Sequence, residues 1–489
     1  FKDEDCFFQV KYSLYSELGF QALPPDQKVY SDNDFTSNQL LYRDVFNYAI
    51  GHGCAADWDT HNGKVSAIHS TIFPLFELKP IVPSAIPGVL LDMHKMSISD
   101  NYLNTLQELE TLCANYKSWI DQLRVRKTSL ESQYQEAAER HIKNCEQCDH
   151  RMIRGVNLLK NNATVRHAFQ LMNEAMLMQQ LHYNLPLQRW EGDGRRGIRL
   201  VDGIEMLPKI SDTKTWPGEA SRYGRWRPFQ LAFILINLYA MYEDNSEERE
   251  IVDLIWFPTG GGKTEAYLGL SAYCIFLQRL MGNQEFGSTI LMRYTLRLLT
   301  AQQYERAAAL ICACESLRLR NPDLLGTNRI TIGLWVGSAT TPNKMKDAVR
   351  AYEELYNGTS NKNPFVILKC PWCGAQMGPV QVNHGVIALP GYQKIRKNRK
   401  YSIVFQCANH EVCDYAKSDT PLPLQIVDES IYDTPPTLLL GTVDKFATLP
   451  FRPEAQSIFG IKNGIRVSAP KLIIQDELHL ISGPLGSMV

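Results

Sequence analysis

The sequence predicts an α/β protein whose main domain is a parallel sheet, and three observations predict it. From Arg225 onward, short apolar runs alternate with helix-patterned segments, the order that lays helices over parallel strands. Phe257-Pro258-Thr259-Gly260-Gly261-Gly262-Lys263-Thr264 follows the apolar run 251–256 and opens a helix-patterned segment. Ile473-Ile474-Gln475-Asp476-Glu477 places adjacent carboxylates at the end of another apolar run. Ligands of such sheets bind beyond the carboxyl ends of the strands, where both motifs are expected to fall.

Taken in order, residues 1–95 mix short apolar and aromatic runs with Pro and Gly breaks and predict a mixed α/β N-terminal domain. Within it, Gly51-His52-Gly53-Cys54-Ala55-Ala56-Asp57-Trp58 reads as a tight turn with a buried His and Cys. Residues 96–215 predict a helical region. Leu103, Leu106, Leu109, Leu112, Tyr116, Ile120 and Leu123 recur at three- and four-residue steps, the mark of a long amphipathic helix or a helical hairpin. The pattern resumes over 151–182, where Phe169, Leu171, Met172, Met176 and Met178 suit core packing. Residues 183–224, rich in Gly, Pro and Arg, read as a connector. The sheet domain then occupies 216–489. Its strands are expected at 251–256, 289–293, 330–336, 437–442 and 472–475, with helices at 264–280 and 300–317. Residues 342–428 break the alternation, carry their own cysteines and predict an inserted subdomain.

Bulk composition narrows the function classes. A chain of 489 residues is expected to hold two to four domains. At 44% hydrophobic and 21% charged it is globular, and a net charge of −1 means that any nucleic-acid binding must come from local basic stripes. The longest apolar stretch, 229–242, is interrupted by Gln230 and Asn237 and is too short for a bilayer, so no membrane partner is expected. Twelve cysteines without an export signal predict a reducing, cytoplasmic setting, where close cysteine pairs read as metal sites before disulfides. The opening Phe1 predicts a natural start further upstream.

The two motifs together predict a nucleotide-hydrolysing site. Glycines at 260–262 let the backbone approach phosphates closely, and the amides opening the next helix complete an anion site. Lys263 is expected on the β- and γ-phosphates of ATP, and Thr264 on Mg²⁺. Asp476 would hold the Mg²⁺ through water and Glu477 would orient or deprotonate the lytic water. The alternative is a glycine-rich turn and a capping acidic pair. Cys370-Pro371-Trp372-Cys373 and Cys407-Ala408-Asn409-His410-Glu411-Val412-Cys413 supply four thiolates in two knuckles, suited to a structural Zn²⁺ ribbon, with His410 able to replace Cys407 or Cys413. Free thiols are the alternative. Between the knuckles, Lys394, Arg396, Lys397, Arg399 and Lys400 sit with Tyr392 and Tyr401, either gripping a phosphate backbone or forming a solvated loop. His141, Cys145, Cys148 and His150 are a weaker metal-like cluster with no second half.

These residues resemble a known family. Gly260-Gly261-Gly262-Lys263-Thr264-Glu265-Ala266, Thr442-Val443-Asp444-Lys445-Phe446 and Gln475-Asp476-Glu477-Leu478-His479 are similar to superfamily 2 helicases. More narrowly they resemble the large helicase subunits of the bacterial antiphage defence system DISARM, a likeness that the 51–58 phrase and Trp226-Arg227-Pro228-Phe229-Gln230 extend into the first half. The resemblance implies a RecA-like ATPase lobe that drives DNA translocation or unwinding, with single-stranded or overhang DNA and a partner subunit. It implies Gln230 on the adenine edge, Thr259 with the glycines around the phosphates, and Arg293, Thr295, Arg297, Thr442 and Lys445 along one strand's backbone. For single residues of that set, Thr-capped strand-to-helix loops are an equal reading. The family's opening Gly is replaced by Phe257. Because the chain ends 13 residues after Asp476, a second RecA-like lobe is not expected within it. The rival readings are a P-loop ATPase acting on protein or small molecules, and a zinc-stabilised nucleic-acid-binding scaffold with a weak or inert ATP site.

Overall fold

The computed structural model describes residues 11–24, 32–73, 86–193, 197–201, 224–256, 261–283, 286–294, 297–337, 340–383, 386–397 and 399–478. The chain divides into two compact units, one of residues 1–83 with 113–150 and one of residues 84–112 with 151–489.

In the first unit, β1 (Ser13–Phe20), β2 (Ala55–His61) and β3 (Lys64–Thr71) form an antiparallel sheet in the order β1-β3-β2, with helix α1 (Asn33–Leu41) between β1 and β2 in the sequence. On β3 the buried positions Val65, Ala67 and His69 alternate with more open ones, the two-residue period of a half-buried strand. Asn62 and Gly63 join β2 to β3, both with positive φ (50° and 76°), which a tight two-residue hairpin requires. The expected turn at 51–54 is present: a side chain at Gly51 would strike the Cys54 carbonyl at 2.2 Å. The expected burial there is not, because His52 and Cys54 are both exposed.

Helix α2 (Met93–Ser97) precedes two long helices, α3 (Tyr102–Lys127) and α4 (Ser132–Asn161), which run through both units as a helical hairpin. Lys127–Glu139 and Arg124–Glu146 pairs, at 2.7 and 2.5 Å, join the two helices in the first unit, and Lys160–Glu110 at 3.3 Å does so in the second. In the first unit Leu40 of α1 packs on Ala137 and Ala138 of α4. Helix α5 (Ala163–Tyr183) is capped by Asn162, whose side chain accepts the Val165 amide, and the apolar set from Phe169 to Met178 is buried, as the pattern predicts.

The second unit continues with a short hairpin, β4 (Trp190–Gly192) and β5 (Ile198–Leu200), then α6 (Pro228–Tyr242) and α7 (Lys263–Leu280). Helix α7 is buried from Ala266 to Arg279, and a glycine at 269 lets Trp226 approach: a β-carbon there would lie 2.6 Å from the indole. Beyond it come β6 (Ile290–Tyr294), α8 (Arg297–Arg320), α9 (Pro322–Leu325), β7 (Ile332–Trp335) and α10 (Met345–Tyr356). Two hairpins follow, β8 (Val380–Asn383) with β9 (Val386–Ala388) and β10 (Tyr392–Lys397) with β11 (Lys400–Phe405), before β12 (Leu424–Gln425), α11 (Asp428–Asp433), β13 (Leu438–Thr442) and α12 (Val443–Ala447). The small hairpin β14 (Ile461–Lys462) and β15 (Ile465–Arg466) leads to β16 (Leu472–Gln475).

Five of these strands form one fully parallel sheet in the order β12-β7-β13-β6-β16, so the fold is α/β as expected. One expected strand is missing from it. Residues 251–256 join no sheet, and Val252, Leu254 and Trp256 are 93%, 68% and 82% exposed. Asp253, inside that run, is gripped by both nitrogens of the buried Arg151 on α4, at 2.6 and 2.7 Å. The apolar pattern was right for a strand, but the carboxylate answers a buried guanidinium instead.

Candidate functional site

The carboxyl ends of β6, β7, β13 and β16, together with the start of α7, gather most of the described candidate residues on one edge of the sheet. Thr259, Gly260, Thr295 and His479 lie outside the described residues, as does the side chain of Arg297.

Gly262 caps α7 with a φ of 87°, a backbone conformation open to glycine and strained for others. Its carbonyl accepts from Gln230 Nε2 at 2.7 Å, while Gln230 Oε1 accepts the Arg227 backbone N–H at 2.7 Å. Arg227 Nη1 reaches the Gly261 carbonyl at 2.5 Å. Gln230 is 3% exposed, so here its amide braces the turn before Lys263 from within the fold.

One turn into α7, the Tyr267 hydroxyl sits 3.2 Å from Thr264 Oγ1, 2.8 Å from the Tyr294 hydroxyl and 3.0 Å from Asp476 Oδ2. A phenol has one proton. The charged acceptor Asp476 takes it, leaving Thr264 and Tyr294 to donate to the Tyr267 oxygen. Burial, reinforced by the Asp476 charge, pushes the Tyr267 phenol well above its ordinary value, so it stays a donor. Residue types and spacing did not single out Tyr267 or Tyr294. The available signal was Tyr267 three residues after Thr264, on the same helix face.

Asp476 follows β16 directly, and its backbone N–H continues the ladder to the Arg293 carbonyl at 3.1 Å. Its second oxygen accepts the Glu477 N–H at 2.9 Å. Glu477 has a φ of 49°, a left-handed conformation that costs a side-chain-bearing residue about 1–3 kcal/mol. Thus Thr264 and Asp476 are tied through one hydroxyl, with Glu477 turned off the strand beside them.

Along the same edge, the Arg293 guanidinium lies 5.3 Å over the Phe446 ring, which packs edge-on to Trp335 at 5.3 Å. Lys445 Nζ meets Asp428 Oδ2 at 2.5 Å in a largely buried pair and also lies over Trp335. Burial raises the Asp428 carboxyl while Lys445 opposes it. Asp428 was not anticipated, because its contact spans 17 residues and α11. The Thr442 hydroxyl, at the end of β13, is buried without a hydrogen-bond partner.

The four predicted metal ligands come together. Cys370, Cys373, Cys407 and Cys413 are buried, with their sulfurs all within 4.8 Å of one another. Cys373–Cys407 and Cys370–Cys413 Sγ separations are 3.4 and 3.9 Å. A disulfide would be far shorter, whereas a tetrahedron with 2.3 Å metal–sulfur bonds has edges of about 3.8 Å. Backbone N–H groups shape the knuckles: Gly374 to the Cys370 carbonyl, Cys413 to the Asn409 carbonyl, and Asn409 to Cys407 Sγ at 3.4 Å. His410 is exposed and outside the cluster, which removes it as a substitute ligand. Nor do His141, Cys145, Cys148 and His150 form a metal-sized cluster among the described residues; His141 Nε2 instead meets Ser37 Oγ at 3.0 Å.

This chain is similar to DrmA. The DISARM protein DrmA of Bacillus paralicheniformis is 32% identical over 543 aligned positions, covering 99% of this chain and 44% of that protein. The chain therefore spans less than half the length of the curated relative it matches. No protein-family model matches it. Among the described residues no helix is long and apolar enough to cross a membrane.

Proposed function

We propose that this chain is the ATP-binding, RecA-like part of a DrmA-like superfamily 2 DNA helicase or translocase, acting in bacterial antiphage defence in the cytoplasm beside a partner subunit. The observation that carries the reading is the Tyr267 hydroxyl joining Thr264 at the start of α7 to Asp476 after β16. Phosphate-loop hydroxyl and strand-end carboxylate are the two groups that a Mg²⁺–ATP site needs side by side.

In this reading, Gly260–Gly262 amides and Lys263 hold the phosphates, with Thr259 in the same loop. Thr264 and Asp476 would hold Mg²⁺, which supplies charge neutralisation on the phosphoryl oxygens when bound. Glu477 orients the attacking water. Arg227 and Gln230 brace the loop, and Gln230 retains one N–H for an adenine edge. Arg293, Thr295, Arg297, Thr442 and Lys445 line the DNA path, with Asp428 holding Lys445 in place. The four cysteines would hold a structural Zn²⁺ in a ribbon; their sulfur separations fit it.

The test is phosphate release with and without single-stranded DNA, measured on the chain in its full-length context. A Glu477→Gln variant should keep ATP binding and lose turnover; unchanged turnover would overturn the role of Glu477. Absence of any hydrolysis would favour the zinc-stabilised scaffold, and hydrolysis indifferent to DNA would favour an ATPase with another substrate. Metal analysis should return one Zn²⁺ per chain, and its loss in Cys370→Ser with Cys407→Ser.

A further inference from the structure

The hairpin β10–β11 carries the densest run of positive charge in the sequence. Residues 394–400 contain Lys394, Arg396, Lys397, Arg399 and Lys400 and no carboxylate, in a protein whose net charge is −1. The hairpin register explains how the charge is presented. Tyr392 pairs with Phe405, Lys394 with Ile403 and Arg396 with Tyr401, so these six share one face. At the base of that face Tyr392, Phe405 and Ile403 are buried. Toward the tip it turns basic and aromatic.

Three features there are poorly explained by packing. Tyr401 is 48% exposed although core positions lie on the same face, and its ring is flanked by Lys394 Nζ at 4.7 Å and the Arg396 guanidinium at 5.8 Å. Arg399 holds a φ of 66°, a left-handed turn conformation where Gly or Asn would be less strained. Of the cations, Lys394 pairs with Glu353 on α10 at 2.9 Å, while Arg396, Arg399 and Lys400 are exposed. Helix α10, packed on β11, adds the stacked pair Tyr352 and Tyr356, the latter 56% exposed. Exposed rings interleaved with exposed cations match single-stranded nucleic acid, whose phosphates take the charges while bases stack on the rings.

We propose that the tip of the β10–β11 hairpin is a single-stranded DNA contact, with Arg396, Arg399 and Lys400 on phosphates and Tyr401 under a base. It rests on the DNA reading above but is separate from the strand-end residues assigned there. The competing explanation is that the cations merely keep the open edges of a two-stranded ribbon from pairing with other chains.

The experiment is fluorescence anisotropy of the purified 489-residue chain with a labelled oligothymidylate of about 20 nucleotides, over about 50–300 mM salt. Each single-strand phosphate contact contributes about 0.7 to the slope of log affinity against log salt, so Arg396→Ala/Arg399→Ala/Lys400→Ala should lower the slope by about 2. The corresponding lysine variant, Arg396→Lys/Arg399→Lys, should retain it. Tyr401→Ala should weaken binding about 5- to 150-fold with the slope unchanged. Zinc content, measured on each variant, reports that the subdomain is intact. Wild-type binding with an unaltered slope in the alanine variant, or aggregation as its only effect, overturns the inference alone. Failure of the wild-type chain to bind at the lowest salt overturns both the inference and the DNA reading.

Discussion

Replacing Tyr267 with Phe removes one oxygen atom and leaves the ring, so the site loses its hydrogen bonds without gaining a cavity. In the wild type that oxygen gives its proton to Asp476 at 3.0 Å and accepts from Tyr294 at 2.8 Å and Thr264 at 3.2 Å. The bond to a charged acceptor is worth about 1.5–3 kcal/mol, and a buried hydroxyl left without a partner costs about 1–3 kcal/mol. Tyr294 is 2% exposed but its hydroxyl also meets Asp476, and Thr264 is only half-buried, so neither is left without a partner. Tyr267→Phe should therefore destabilise the chain chiefly by the lost bond to the charged acceptor, about 1.5–3 kcal/mol. Tyr294→Phe removes one donor and leaves Tyr267 bonded to Asp476, so it should cost only about 1 kcal/mol. Urea unfolding followed by tryptophan fluorescence measures both. The reasoning is refuted if Tyr267→Phe is as stable as wild type, or if Tyr294→Phe is the more damaging of the two. Because the lost bonds hold Thr264 and Asp476, Tyr267→Phe should also weaken Mg²⁺-dependent ATP binding more than Mg²⁺-free binding, read by titration calorimetry.

Three further outcomes are expected. Lys445→Ala leaves the buried Asp428 carboxyl without its partner and should destabilise by about 3–5 kcal/mol, with much of the loss recovered in Asp428→Asn/Lys445→Ala; denaturant midpoints of the single and double variants decide it. Gly155→Ala should destabilise despite alanine's better helix propensity, because the new β-carbon would lie 2.3 Å from the Leu235 carbonyl oxygen and α4 and α6 would have to separate; a raised melting temperature would contradict that contact. His182 stacks on Trp372 and donates to its carbonyl, and burial pushes its pKa down to about 4. A base with a depressed folded pKa binds its proton more readily when unfolded, so the stability it lends is present above about pH 6.5 and is lost as pH falls toward 4. His182→Gln should therefore lose less stability than wild type over that window. Any metal loss at low pH weakens both chains alike, leaving the difference in their unfolding curves to report His182.

The parts legible in the sequence were those set by short-range chemistry. The strands β6, β7, β13 and β16 announced themselves as apolar runs, α7 and α8 as periodic segments, and the cysteines as two knuckles, because each pattern is complete within a few residues. The run at 251–256 had the same apolar signature and is not in the sheet. Its fate turned on Asp253, whose partner Arg151 lies about a hundred residues earlier in the sequence. His52 and Cys54 were expected inside a turn and are exposed, since the turn itself is local but what covers it is not.

By itself the sequence determined the ingredients of the proposed nucleotide site: a glycine-rich turn with Lys263 and Thr264, and a strand ending in Asp476 and Glu477. It also determined the four thiolates, since their types and spacing are their chemistry. Only the tertiary structure decided that Tyr267 bridges Thr264 to Asp476, that Gln230 is turned inward against Gly262, and that Lys445 is paired with Asp428. Those are decisions of burial and of distance across the fold. A side chain removed from water must find its partner among whatever the packed helices and strands bring within about 3 Å.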